Sequence, residues 1–179
     1  KGLLEKAEQL KREAASSGSF KEVSFVSAQI AGLRSAILRR DGNLAAANTA
    51  IHEALELANQ EIARARTISN LNERNVIGDR AQRVRDGILH LMIRQQITEG
   101  KNIEAEATAR LGLKNIQNEQ RGGANMGDWL GRLAQAKLAQ RRYAEAADLA
   151  QQAIVLLQQN PEGQSSHWLI SAQTVLMQA

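Results

Sequence analysis

The chain reads as an all-α protein. Apolar residues recur every three or four positions along most of its length, short polar turns carrying glycine or asparagine interrupt them, and residues that break helices or favour strands are scarce. One proline and five aromatics (two Trp, one Tyr, two Phe) stand among 179 residues. The rest is rich in Ala, Leu, Gln, Glu and Arg, which favours helix and leaves strands short of the side chains they need. With 43% hydrophobic and 23% charged residues the chain has enough apolar material for a core and lies outside the range of disordered proteins. An all-β or α/β enzyme is not expected.

Leu3, Leu4, Ala7 and Leu10 outline a first helix closed by Ser16-Ser17-Gly18. Val23, Val26, Ile30, Leu33 and Ile37 share one face of a second helix, and Ser19 with Glu22 has the capping-box spacing at its start. Asp41-Gly42-Asn43 predicts a tight turn, with Gly42 free to take positive φ and Asn43 placed to cap the next helix. The stripe then resumes as Leu44, Ala47, Ile51, Ala54, Ala58, Ile62 and Ala65, whose small side chains let helices approach closely. Thr67 to Gly78 reads as a connection, after which Asp79 and Gln82 offer a start for a helix carrying Ala81, Val84, Ile88 and Leu91 to about Gly100.

A helix from Ile103 to about Gln117, carrying Ala107, Leu111 and Ile116, follows, then a glycine-bearing linker from Asn118 to Gly127. Trp129, Leu130, Leu133, Ala134 and Leu138 open the next helix, and Tyr143, Ala146, Ala150, Ala153 and Leu157 define another. Pro161 ends it, because proline cannot continue a helix. Ser165 or Ser166 caps a last helix bearing Trp168, Leu169, Ala172, Val175 and Leu176. The count is about eight helices, and the short turns at 41–43, 100–102 and 140–142 make antiparallel neighbours of those they join.

The segment Asp128 to Pro161 resembles a tetratricopeptide repeat, the helix–turn–helix unit of about 34 residues. Leu130, Leu133 and Ala134 match its first helix, Tyr143-Ala144-Glu145-Ala146 its turn and second helix, and Ala153 the small residue where the two cross. Ile30 to Leu57 is similar, with Gly42 to Ala47 in the turn and Ala54 at the crossing, and Gly100 to Ala105 is a looser third copy. The turns fall about 58 and then 41 residues apart, so the curvature should depart from that of a regular array. The resemblance implies one domain over residues 1–179, an α-solenoid of antiparallel hairpins. It also implies a non-catalytic scaffold or sensor for a protein or peptide, like repeats found beside caspase-like proteases and in large bacterial transcriptional regulators.

Lys1 in place of Met, without a charged-then-apolar leader, reads as a segment of a longer polypeptide. The apolar residues retained by the last helix, Trp168, Leu169, Val175 and Leu176, then predict flanking sequence or self-association across that end.

Motifs for chemistry are weak. Gly122-Gly123-Ala124-Asn125-Met126-Gly127 has two glycines at phosphate-loop spacing but continues into Asp128-Trp129, where lysine and Ser/Thr are required, and reads as a linker. His52, His90 and His167 lie in separate helices outside any ligand motif. Asp86 and His90, four apart, fit a metal pair less well than a solvated ion pair. No serine elbow is present and cysteine is absent, which excludes thiolate chemistry and leaves the compartment open between cytoplasm and periplasm. No cofactor is expected. Six arginines between Arg64 and Arg85 form a basic stretch, but a net charge of +4 with interleaved acids and no nearby aromatics argues against nucleic acid. The longest apolar run, Ala153 to Leu157, is far short of a bilayer span.

What remains is the groove that stacked hairpins create along the first helix of each pair. Arg39, Arg83, Arg94, Asp128 and Gln135 are the side chains expected to face it and to hydrogen-bond an extended peptide or its acidic groups. The rival expectations are an effector-sensing domain, with a pocket between the helices Leu44–Ala65 and Ala81–Glu99 near the connection 67–78, and a self-assembly module.

Overall fold

The computed structural model describes residues 20–179 together with Gly2, Glu5, Lys6, Gln9, Arg12 and Glu13. Leu3, Leu4, Ala7 and Leu10 of the expected first helix, and the Ser19 cap, lie outside the described residues. Gly2, Glu5, Lys6, Gln9, Arg12 and Glu13 are helical, and residues 20–179 form eight helices and no strand: α1 (Phe20–Arg40), α2 (Leu44–Arg66), α3 (Leu71–Thr98), α4 (Asn102–Asn118), α5 (Ala124–Ala139), α6 (Tyr143–Gln159), the single turn α7 (Pro161–Gln164) and α8 (His167–Gln178). The protein is all-α. No helix among the described residues is long and apolar enough to cross a membrane.

One type of stop recurs. Gly42, Gly100, Gln120 and Arg141 all take positive φ, and in each case the next amide reaches back to a carbonyl five residues earlier, as from Asn43 to Leu38 and from Arg142 to Lys137. This turn satisfies the last carbonyls of the helix and reverses the chain within a few residues. Only two of the four positions are glycine, which is why the stops after α4 and α5 are harder to read from sequence.

The chain divides into two compact units, Lys1–Ile88 and Leu89–Ala179, and α3 contributes residues to each. In the first unit α1 packs along α2. The Asn43 side chain accepts the amide of Ala46 at 3.2 Å, capping α2 as its sequence predicts. Ala47, Ala50, Ala54 and Ala58 are buried along α2, and the buried Ser35 hydroxyl donates to the Ala47 carbonyl at 2.7 Å. Contact between a side chain and the neighbouring backbone is what a stripe of alanine permits.

The connection expected over 67–78 is shorter: α3 begins at Leu71. Asn70, not Asp79, supplies the cap, accepting the amide of Glu73 at 3.1 Å. The first turns of α3 leave Leu71 and Val76 exposed and bury chiefly Ile77 and Ala81 against Ile62 of α2. A helix so lightly covered carries little of the periodicity by which helices are recognised.

In the second unit α5 is central, packing on α4, α6 and α8. Its first turn, Ala124 to Gly127, was expected as linker. It is helix because a side chain at Gly127 would stand 2.8 Å from Leu157 Cγ and 3.2 Å from the Ala153 carbonyl, so glycine there allows α5 and α6 to touch. Gly112 plays the same part toward Trp129, whose buried ring occupies the place of the missing side chain. Pro161 stops α6 and opens α7, and Ser166 caps α8 through the amide of Leu169. Val175 is buried, and Trp168, Leu169 and Leu176 pack on the core formed with α5 and α6. Of these four apolar residues Val175 is buried, and Trp168, Leu169 and Leu176 are half-buried. The large apolar side chains that α8 leaves exposed are Ile170 and Met177.

Candidate functional site

The second unit carries a cleft of about 520 Å³ bounded by the last turns of α3, by α5 and by α8. Each helix presents residues three or four apart: Arg94, Ile97 and Thr98 from α3, Arg132, Gln135, Leu138 and Ala139 from α5, and Ser171, Thr174, Val175 and Gln178 from α8. That spacing places one face of each helix on the cleft. Ile97, Leu138, Ala139 and Val175 make an apolar floor beneath a rim of hydroxyls, amides and two guanidinium groups, with no carboxylate in the lining. The Gln135 amide donates to the Ser171 hydroxyl at 2.5 Å, tying α5 to α8.

Arg132 leads from the cleft into the interior. Its Nε lies 3.3 Å from Oδ1 of Asp128, one turn earlier on α5. On the other side of that carboxylate, His90 of α3 places Nε2 3.2 Å from Oδ2. Neither the His90 Nε2 nor the Arg132 Nε reaches hydrogen-bond geometry, although both are buried. The His90 ring lies 4.5 Å from that of Trp129. Burial, then the charge of Arg132 and the proximity of His167, lower the His90 pKa from 6.5 to about 3, so the imidazole is neutral at pH 7.

A second polar cluster joins α4, α5 and the start of α6. The Lys137 ammonium, almost wholly buried, lies 2.7 Å from Oε1 of Glu106 and 3.3 Å from Oε2 of Glu145. Glu106 also accepts from Gln140 at 2.9 Å and pairs with Arg110 at 2.8 Å and Arg142 at 3.4 Å. The Lys137 hydrogen bond above all holds the Glu106 carboxyl at about 2 against the desolvation that opposes it. A buried ammonium placed between carboxylates of two neighbouring helices is a brace between them.

Of the residues expected to face a groove, Arg94 and Gln135 line the cleft, and Asp128 stands behind it, joined through Arg132. Arg39 and Arg83 lie in the first unit, Arg39 half-buried on α1 and Arg83 exposed on α3, and neither lines this cleft. Sequence reasoning missed Arg132, Ser171 and Thr174. Arg132 was within reach as the i+4 partner of Asp128, whereas the α8 hydroxyls sit between core positions and carry no pattern of their own.

The remaining motifs resolve into structure. Asp86 pairs with Arg85 at 3.1 Å while His90 turns to Asp128, and no group of three or more potential metal ligands occurs among the described residues. In the basic stretch Arg64 is held by Glu61 at 2.8 Å and Arg85 by Asp86, with Arg66, Arg74 and Arg83 exposed. A smaller cleft of about 250 Å³ in the first unit is lined by Arg12, Ser27, Ile30, Ala31, Arg34, Glu53 and Leu57. It does not coincide with the pocket expected beside 67–78.

Fold and cleft define an all-helical protein with a preformed, polar-rimmed cleft. Comparison with protein-family models, with curated proteins and with solved structures finds no match.

Proposed function

We propose that the chain is a non-catalytic binding module of tetratricopeptide-like hairpins stacked as a solenoid, and that the cleft of the second unit receives a peptide segment of a protein partner. One observation carries this reading: the cleft is lined by α3, α5 and α8. Two of these, α3 and α5, each open a pair closed by a short turn, to α4 and to α6, and α8 stands where the next pair would open. A groove formed by first helices is what a stack of such hairpins presents to a ligand. An apolar floor with a rim of donors suits a peptide that buries an apolar side chain and offers acidic or backbone oxygens to Arg94, Arg132 and Gln135. The parent protein on this reading is a bacterial signalling or regulatory polypeptide.

The test is a peptide array probed with the protein and with two variants altered at the exposed rim, Arg94→Glu and Thr174→Glu. Acidic peptides with an apolar residue are expected to bind and to lose at least tenfold in affinity to either variant, about 1.4 kcal/mol. Peptides that bind both variants as well as the parent protein would refute the assignment to this cleft. A small effector is the second reading, favoured by a volume that falls within the usual range of small-molecule sites. A thermal-shift screen in which metabolites stabilise the protein and the array stays blank would select it.

A further inference from the structure

Arg132 belongs to two sites at once. It lines the cleft, and it lies 3.3 Å from the buried Asp128 carboxylate, whose other oxygen faces His90 Nε2 at 3.2 Å. We propose that the cleft is a proton-linked anion site: an anionic group of the ligand draws the Arg132 guanidinium toward the cleft, and His90 takes up a proton to replace it beside Asp128. The inference rests on the reading of the cleft as a binding site and adds its regulation.

The argument is electrostatic. A buried carboxylate is costly unless a cation or several donors compensate it. In the free protein Arg132 contributes that charge, and the same charge, with burial, opposes protonation of His90. The groups facing the imidazole are Asp128 and Arg132 from α5 and His167 from the start of α8. When Arg132 turns to an anion in the cleft, Asp128 loses part of its compensation and a repulsion on His90 weakens. The anion adds a further attraction for the proton. Both nitrogens, His90 Nε2 and Arg132 Nε, stand at ion-pair distance from Asp128, so each is placed to carry the charge that compensates this carboxylate. By linkage, whatever favours protonation of His90 on binding must make binding tighter as pH falls.

Two measurements test this on the full chain. In the free protein, NMR titration of the His90 ring is compared with that in Arg132→Gln. The variant is expected to show His90 titrating at a pH at least one unit higher than the parent protein, and identical titrations overturn the proposal. Binding of poly-L-aspartate is then measured by calorimetry in buffers of different ionisation enthalpy between about pH 7.5 and about pH 5, the range in which a histidine ordinarily changes charge. The expected result is proton uptake on binding and an affinity that rises on acidification by up to about tenfold per pH unit, both lost in His90→Gln. Binding without proton uptake, or uptake that persists in His90→Gln, overturns the proposal and leaves the peptide reading intact. Failure of poly-L-aspartate to bind overturns it as well, and the peptide array decides separately whether the cleft binds at all.

Discussion

Acidification should destabilise the second unit through His90. Its imidazole is buried and held neutral, with a pKa of about 3 against 6.5 for the unperturbed group. In the unfolded chain the ring regains its ordinary value, so below about pH 6.5 the unfolded state binds a proton that the folded state refuses. Stability is therefore full above that pH and declines as pH falls toward 3, where the loss levels off. Each pH unit in this window costs about 1.4 kcal/mol, which amounts to about 2 kcal/mol at about pH 5. The assay is urea unfolding at neutral pH and at about pH 5, followed by the fluorescence of buried Trp129, on the parent protein and on His90→Gln. Other titrating groups are common to both proteins and cancel in the comparison. The parent protein should lose about 2 kcal/mol more than the variant on acidification. Equal losses would refute the reasoning, because they would mean that His90 accepts its proton in the folded state.

Gly112→Ala places a methyl group where the Trp129 ring lies, and overpacking of this kind should cost about 1–3 kcal/mol and disturb the near-ultraviolet circular dichroism. Gly87→Ala, exposed on α3 with nothing near the added carbon, should instead stabilise by up to about 1 kcal/mol in the same urea titration. Lys137→Met removes the buried partner of Glu106. Because Arg110, Gln140 and Arg142 remain on that carboxylate, the loss should be about 1–3 kcal/mol, less than for a pair with no other partner. Glu106 titrates at about 2 when folded, so the stabilisation it gains from Lys137 is present above the ordinary carboxylate value. The difference between parent and variant should therefore narrow as pH falls from about 4.5 toward 2 in acid-unfolding curves. Asn43→Ala removes the cap of α2 and should cost about 1 kcal/mol, read as a lower urea midpoint with an unchanged slope.

Elements bounded by strong local chemistry were legible. Gly42 and Asn43 end α1 and cap α2 as read, and Ser166 caps α8. The stripe from Ala47 to Ala65 is buried as its spacing predicts, whereas Leu33, Leu44 and Tyr143, read onto stripes of the same kind, are exposed. The start of α3 was not legible, because Leu71 and Val76 face solvent and the helix leans on few partners. The linker reading holds at Gly122 and Gly123 and failed over 124–127, because glycine signals both a flexible backbone and a close helix contact, and only the neighbour, Leu157, tells which applies at Gly127. In the candidate site Arg94 and Gln135 were foreseen and Arg132 was not, although Asp128, four residues before it, had been singled out.

Composition and periodicity by themselves determined that this chain is helical and where most of its helices run, because those properties depend on residues within a few turns of one another. Tertiary structure alone decided which helices share a cleft, that Arg132 connects it to Asp128 and His90, and which core Trp168 and Leu176 pack against. Those facts depend on the packing of residues far apart in the chain, such as His90 with Asp128, and on the desolvation that comes with it. Neither is encoded in the spacing of one helix.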